Sequence, residues 1–351
     1  MHQLFPPCLV LLLAVVVVLW LWPGKALRTA TALVRKVNRP ALVVTDRVAA
    51  HHLLVRGSAG GSFSDRPASV LVSAVLSRRR FHNLNSAPYG PLWRTMRRNI
   101  TSDVLHPLHF HRYASARRRA VSGLLEDLRQ QCQCECQSSP HGAVVLAAES
   151  IRTAMFGLLA EMTFGHGVDE GLIRAMFKGM IDLIQFVPQL AILSKLPVFI
   201  SKIYYRERWN KIVTLRRNQE EMYLPLINAR RHRHHSAGDG EPPAYVDTLV
   251  DLRVEGDGRS LADGELVGMC SEFLGAGMDG VATELQWIMA ELVKRPDIQE
   301  AVRREIDAAV DDDAEEVSEE VAGKLEYLNA VVMEGLRLHP AVHAVFREVR
   351  T

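Results

Sequence analysis

The length, composition and charge of the chain exclude several classes of protein. With 351 residues, of which 48% are hydrophobic and 23% charged, the chain is globular rather than disordered and can form one large core or two domains. The formal net charge is only +2, and no aromatic residues are interleaved with the basic clusters, so no nucleic-acid partner is expected. The five cysteines do not form a disulfide framework, which favours a reducing compartment.

The amino terminus predicts a membrane anchor. No charged residue occurs from Leu4 to Trp22, which approaches the roughly 20 residues that a helix needs to cross a bilayer. A cleaved signal peptide would have positive charge before the apolar run, whereas here it follows, beginning at Lys25 and Arg28. Positive residues stay on the cytosolic side. We therefore expect residues 1–24 to be a single-pass anchor and the body of the chain to lie in the cytosol.

The body of the chain is predicted to be mainly helical. Short β-prone stretches lie early, at 41–44 and 70–75, and helical spacing of apolar residues dominates after Pro91. Polar loops are expected at 236–243 and 311–320. Few, early strands and many later helices predict an α-rich α+β fold. The predicted helices are Ala143–Phe164, Arg206–His235, Asp263–Lys294, Asp297–Val310 and Leu325–Leu338.

Two runs of potential metal ligands are present, at Cys132, Cys134 and Cys136 and at His232–His235. Three thiolates at alternate positions could converge on a soft metal, but the cysteines lie among Gln and Ser and lack a convincing fourth ligand. A solvated loop is the favoured interpretation of the cysteine run, and no metal site is predicted.

A glycine-rich stretch, Phe273–Gly280, lies inside the predicted helix Asp263–Lys294. Each glycine costs about 1 kcal/mol relative to alanine in a helix interior, so a compensating role is expected. In one interpretation small residues allow a flat cofactor to lie against the helix, and Asp279 feeds protons to the pocket. In the other, the glycines mark a helix–helix crossing and Asp279 lies on the surface. Composition alone leaves both open.

Two other helical motifs carry charge. Glu334 and Arg337 share a helix face at i,i+3, and the apolar residues around them predict that the pair is buried and structural. Trp93 and Arg97, at i,i+4, can direct an indole N–H and a guanidinium towards a carboxylate on a cofactor's edge. Taken alone, the second motif also fits a basic amphipathic helix on a membrane-facing surface.

The anchor and these three motifs, in this order and spacing, resemble the cytochrome P-450 superfamily of haem-thiolate monooxygenases. The resemblance covers about residues 39–340, and four further sequence segments are most similar to plant microsomal members of the eighty-nine family. These segments are Phe63–Pro67, Asn85–Arg94, Tyr245–Leu249 and Leu285–Trp287. The resemblance implies a cytochrome P-450-like fold over residues 25–351 and a location in the endoplasmic reticulum membrane. It also implies haem, an NADPH-dependent reductase as partner, and insertion of one oxygen atom into a small apolar substrate.

The resemblance also implies roles for the motif residues. Trp93 and Arg97 would contact haem propionates, and Ala276 and Gly277 would line the distal face of the haem. Glu334 and Arg337 would form a buried pair that supports haem incorporation. The implied catalytic positions are Asp279, Gly280 and Thr283.

Two departures from the family concern the haem site. Gly280 occupies the position where the family usually has a threonine, and Thr283 lies one turn further on. The family's thiolate cysteine lies well downstream of the Glu-x-x-Arg helix, whereas no cysteine follows Cys270 here. We therefore expect the haem-ligand region to be missing and no thiolate-type haem spectrum. The alternative to a monooxygenase is an inactive, truncated, membrane-tethered paralogue or an incomplete gene model.

Overall fold

The computed structural model describes residues 42–56, 62–67, 83–85, 87–138, 144–190, 202–234, 243–310, 317–342 and 344–349. The predicted anchor at 1–24 and the β-prone stretch at 70–75 lie outside these residues. None of the helices within the described ranges has the length and apolar character needed to span a membrane. The chain divides into two compact units, residues 1–59 and 60–351.

In the first unit, a short helix α1 (Arg47–His51) continues into a π-helical segment, His52–Arg56. Asp46 caps α1, because its side chain accepts a hydrogen bond of 2.7 Å from the amide of Ala49. No residue of these two segments is buried.

The second unit is built from helices. A π-helical segment, Ile100–Val104, and a 3-10 segment, Pro107–Tyr113, connect the first two of them. The predicted helices are confirmed, with Asp263–Lys294 correct at both ends and the others shifted by a few residues at one or both ends. The helices are α2 (Pro91–Asn99), α3 (Ala114–Ser138), α4 (Ala147–Phe164), α5 (Glu170–Leu190), α6 (Arg206–His234), α7 (Tyr245–Val250), α8 (Asp263–Lys294), α9 (Pro296–Ala309), α10 (Glu319–Lys324) and α11 (Glu326–Leu338).

The predicted β component is absent from the described part of the chain. Only two isolated bridges occur there, Asp65 with Glu348 and Arg253 with Ser260. Residues 42–44 are exposed and lie in no regular secondary structure, and no described strand pairs with them, so β propensity alone did not produce a sheet. The described fold is mainly α.

The prediction of a loop at Cys132–Cys136 was wrong, because α3 extends to Ser138. Two i,i+4 hydrogen bonds lie in the turns just before this stretch, from Gln130 to Glu126 at 2.9 Å and from Gln131 to Asp127 at 3.0 Å. Side-chain pairs at this spacing stabilise a polar helix without a buried face.

Helix α8 runs through the core. Most of its buried apolar side chains join one cluster with residues of α4, α5, α6 and α7. A Cβ at Gly275 would lie 3.0 Å from the sulfur of Met180 on α5, and one at Gly277 would lie 3.0 Å from both Cδ atoms of Leu159 on α4. These two glycines therefore allow close approach of α4 and α5 to α8.

Carboxylates at the third position cap α7 and α8. Asp247 accepts the amide of Ala244 at 2.8 Å and pairs through both oxygens with Arg230 of α6. Glu265 accepts the amide of Ala262 at 2.8 Å and takes two bonds from Arg259, at 2.8 and 2.9 Å. Each carboxylate thus accepts a hydrogen bond from the amide that precedes its helix and also pairs with an arginine, which fixes the start of the helix.

Helix α11 packs on the carboxyl-terminal half of α8. The ring of His339 stacks on Trp287 with centroids 4.3 Å apart, and its Nε2 lies 3.3 Å from a carboxylate oxygen of Glu291. A Cβ at Gly335 would lie only 2.5 Å from Cγ1 of Ile288 and 3.0 Å from Oε1 of Glu284. The contact between the two helices therefore requires glycine at position 335.

We expect Gly335→Ala to lower the free energy of unfolding by about 1–3 kcal/mol, because the added methyl group overpacks the contact with Ile288. Gly323→Ala in α10 is the matched control, since its Cβ would meet nothing within 4 Å. The control should be neutral or stabilising by up to about 1 kcal/mol. Urea denaturation of both variants measures the difference, and equal effects would contradict the packing argument.

Candidate functional site

One face of α8 is open in the middle of the helix. Ala276 and Asp279 are exposed, and Gly280 and Thr283 are partly exposed, at spacings that place these residues on one side of the helix. A Cβ built on Gly280 would meet nothing within 4 Å. The face is thus a flat strip of small residues beside a carboxylate and a hydroxyl.

Gly277 does not lie on the open strip, because a Cβ at this position would point at Leu159 of α4. The helix-crossing interpretation of the glycine-rich stretch therefore fits Gly277, and the cofactor interpretation stays a prediction. Gly275 and Gly277 mark helix crossings, whereas Ala276 and Asp279 lie on the open strip.

The indole of Trp93 has an internal partner. Its N–H donates to the backbone carbonyl of Leu84 at 3.1 Å, and its ring lies against Tyr89 with centroids 5.4 Å apart. In the described structure this N–H is therefore directed at Leu84, and its expected contact with a cofactor carboxylate stays a prediction.

Arg97 is the arginine of α2 whose side chain is exposed without a described partner. Arg94 pairs with Glu255 at 3.3 Å, and Arg98 lies 3.9 Å from the same carboxylate. The Glu255 carboxylate raises the pKa of Arg94 through a hydrogen bond and its charge. Of the three arginines, Arg97 can therefore bind an external anion without breaking a pair.

Glu272 on α8 is a polar residue that the sequence did not single out. Its carboxylate accepts the amides of Leu84 at 2.8 Å and Asn85 at 2.7 Å. Burial raises the pKa of Glu272 to about 7, although the two amides and the charge of Arg66 lower it. In the sequence, Glu272 is only a glutamate one turn before Ala276. Its position does not reveal that it binds Leu84, which is 188 residues away.

Glu334 and Arg337 form the expected pair through two bonds of 2.7 Å. The expectation that the pair is buried was wrong for the described structure, where the two side chains are 51% and 67% exposed. No described segment covers this face of α11, so apolar neighbours on the helix did not ensure burial. The pair lowers the pKa of Glu334 through the hydrogen bond from Arg337.

Glu284 is a second carboxylate of α8 that sequence reasoning missed. Its side chain is only 8% exposed, and neither of its oxygens has a hydrogen-bond partner within the described structure. It lies against Gly335 of α11. A buried polar group without a partner retains its full desolvation cost.

The cysteines provide no described metal site. Cys270 is fully buried in the core, and burial raises the pKa of its thiol. No group of three or more potential His, Cys, Asp or Glu ligands occurs among the described residues.

Two cavities open on the surface of the second unit. The larger, about 430 Å³, contains none of the predicted site residues. The smaller, about 170 Å³, includes Asn85 and therefore lies beside the segment bound by Glu272. Its remaining lining consists of Arg66, Pro67, Val342, Ala344, Val345 and Phe346.

Comparison with known proteins identifies relatives over most of the chain. The family model of cytochrome P450 matches residues 30–351. The chain is 36% identical to cytochrome P450 89A9 of Arabidopsis thaliana over 87% of this chain and 59% of that protein. It is 30% identical to cytochrome P450 78A1 of Zea mays, covering 86% of this chain and 53% of that protein. The germacrene A hydroxylase of Lactuca sativa is 25% identical over 82% of this chain and 56% of that protein.

Solved structures show the same fold. A zebra fish cytochrome P450 with progesterone gives a TM-score of 0.64 at 20% identity, covering 83% of this chain and 62% of that chain. A further cytochrome P450 crystal structure gives 0.59 at 14% identity, over 78% and 59% of the two chains. The chain spans between half and three fifths of the length of the curated relatives cited above.

We expect the stability contribution of Glu272 to depend on pH. Because its folded-state pKa is raised from 4.5 to about 7, this contribution is fully present below about pH 4.5 and is lost as pH rises through about 7. Glu272→Gln removes this titration. The difference in unfolding free energy between wild type and variant should change by about 3 kcal/mol between pH 4.5 and 8.

Urea midpoints measured across this pH range test the expectation. Glu300→Gln, at an exposed position on α9, is the control and should follow the wild-type pH profile. Parallel profiles for wild type and Glu272→Gln would refute the assignment.

We also expect Glu284→Ala to raise the free energy of unfolding by about 1–2 kcal/mol, because it removes two buried oxygens that lack partners. The loss of side-chain packing offsets part of this gain. Urea denaturation at pH 7 measures it, with Glu300→Ala as an exposed control. A destabilised Glu284→Ala variant would show that the carboxylate has a stabilising partner.

Proposed function

Because the chain belongs to the cytochrome P450 family, we propose that it binds haem along the open strip of α8. We further propose that the protein inserts one oxygen atom from O₂ into a small apolar molecule, using electrons from an NADPH-dependent reductase. The observation that carries the proposal is the flat strip around Ala276 and Gly280, with Asp279 beside it.

The residues of the strip fit a planar macrocycle. Ala276 is exposed, and the space next to Gly280 is open, so a flat ring system can approach the helix backbone. The family implies haem iron, and when bound the haem supplies the oxidising chemistry.

Asp279 and Thr283 would handle protons beside this strip. They are one turn apart on the same side of α8, and both reach solvent. The Thr283 hydroxyl can pass a proton, since a hydroxyl both donates and accepts, and the Asp279 carboxylate can accept a hydrogen bond beside it. Thr283 would thereby supply the hydroxyl that Gly280 lacks.

Arg97 would bind an acidic edge group of the haem. Its guanidinium is exposed and has no described partner, whereas the indole N–H of Trp93 is bonded to Leu84. Glu334 and Arg337 would support haem incorporation through α11, on which their two-bond pair lies.

Relatives named as hydroxylases and as a tabersonine 6,7-epoxidase support oxygen insertion as the reaction. We also propose that the uncharged run from Leu4 to Trp22 anchors the protein in the endoplasmic reticulum membrane, with the body facing the cytosol.

Haem binding is tested by titrating the purified chain with haemin and following Soret absorbance. We expect Ala276→Phe to weaken binding at least about tenfold, or about 1.4 kcal/mol, because the ring would occupy the strip. Ala308→Phe is the matched control, since Ala308 is exposed on α9, and it should bind haemin as wild type does.

Equal haemin affinity for wild type, Ala276→Phe and Ala308→Phe would show that the strip is not the binding site. No saturable binding by the wild-type chain would contradict the proposed function for this chain. Circular dichroism of each variant verifies that the helices are intact.

A further inference from the structure

We propose that Glu272 is a pH-sensitive latch, which holds the connection at 83–85 against α8 and releases it as the pH rises. Asn85 lines the 170 Å³ cavity, so release of the connection opens one wall of that cavity. The latch goes beyond the proposed function and does not depend on haem binding.

Two consecutive backbone amides close the latch. The Glu272 carboxylate accepts the amide of Leu84 at 2.8 Å and that of Asn85 at 2.7 Å, one on each oxygen. Gly268 lies one turn earlier on α8, and a Cβ there would lie 3.9 Å from the Cβ of Asn83. The connection therefore lies along one turn of α8, and Glu272 fixes it there with bonds about twice as strong as those between neutral groups.

The connection has separate attachments on the side of α2. The amide of Tyr89 donates to a carboxylate oxygen of Asp65 at 2.7 Å, and the carbonyl of Leu84 accepts the indole N–H of Trp93 at 3.1 Å. Neither contact involves α8. Release from Glu272 therefore separates the connection from α8 and leaves it attached to α2.

The position of the carboxylate makes the latch depend on pH. Burial raises the pKa of Glu272 from 4.5 to about 7, whereas the two amides and the charge of Arg66 lower it. Among the described residues, Arg66 and, on α7, Tyr245 face this carboxylate. Once released, Glu272 is solvated and returns towards the ordinary value of 4.5. The closed form therefore binds the proton more tightly, so protonation favours closing and ionisation favours release.

Hydrogen exchange of the full chain, followed by mass spectrometry at about pH 6 and pH 8, tests the latch. The two pKa values predict that the opening equilibrium of the Leu84 and Asn85 amides rises about tenfold between these conditions, after correction for intrinsic exchange rates. Glu272→Gln has a side chain of the same shape that does not titrate, so its opening equilibrium should not change with pH. Circular dichroism verifies that the helices of the variant are intact.

Glu305 provides a matched control within the same molecule. Its carboxylate also accepts two consecutive amides, those of Tyr327 at 2.7 Å and Leu328 at 2.9 Å, but at the start of α11, where it is partly exposed. These two amides should show no comparable rise in opening. The core amides of α4 report opening of the whole unit, and they should be more protected than the Leu84 and Asn85 amides at both pH values.

Arg66→Gln tests the sign of the effect. Loss of this positive charge should raise the pKa of Glu272 further, so the rise in opening should move to higher pH. A shift to lower pH would overturn the latch. So would a wild-type opening equilibrium that is independent of pH, an unchanged pH dependence in Glu272→Gln, or protection of the Leu84 and Asn85 amides equal to that of α4.

Discussion

Close approach of neighbouring helices to α8 is the constraint on which the second unit depends. Gly275 and Gly277 allow contact with Met180 and Leu159, and Gly335 of α11 allows contact with Ile288. Side chains at these positions would hold the helices apart and expose the apolar cluster that α8 shares with α4, α5, α6 and α7. Because these contacts occupy other faces of α8, the strip containing Ala276 and Asp279 stays open. The packing of the core and the availability of the site therefore have one cause.

The helices were predictable because their signals are local. Helix α8 has apolar periodicity and acidic residues in its first turn, and Pro296 lies two positions after its last residue. The end of α3 was predicted as a loop because its Gln and Cys residues show no apolar periodicity. A polar helix supported by i,i+4 side-chain bonds has the same composition as a polar loop, so the sequence does not separate the two. The β-prone stretch at 42–44 also failed as a strand, since strands need a partner and local propensity does not provide one.

The candidate site was only partly predictable, because its decisive contacts join distant parts of the chain. Helical spacing correctly placed Ala276 and Asp279 on one side of α8 and Glu334 beside Arg337. It did not reveal that the Trp93 indole is bonded to Leu84, nor that Glu272 holds Leu84 across 188 residues. The Glu334–Arg337 pair was predicted to be buried and is exposed, for the same reason. Burial is a property of what covers a helix face, and the residues of α11 alone do not specify that.

Two carboxylates of α8 lie one turn outside the open strip, Glu272 before Ala276 and Glu284 after Gly280. Glu272 is satisfied by two backbone amides and fixes the connection into α2, whereas Glu284 has no described partner and lies against Gly335. Glu272 therefore holds the amino-terminal side of the strip through hydrogen bonds, whereas Glu284 contributes only packing on the carboxyl-terminal side. Directional bonds maintain a geometry more precisely than apolar contact does, and binding sites benefit from rigid support. It follows that the strip is best preorganised near Ala276, on the side where α8 is tied through Leu84 to the helix that carries Arg97.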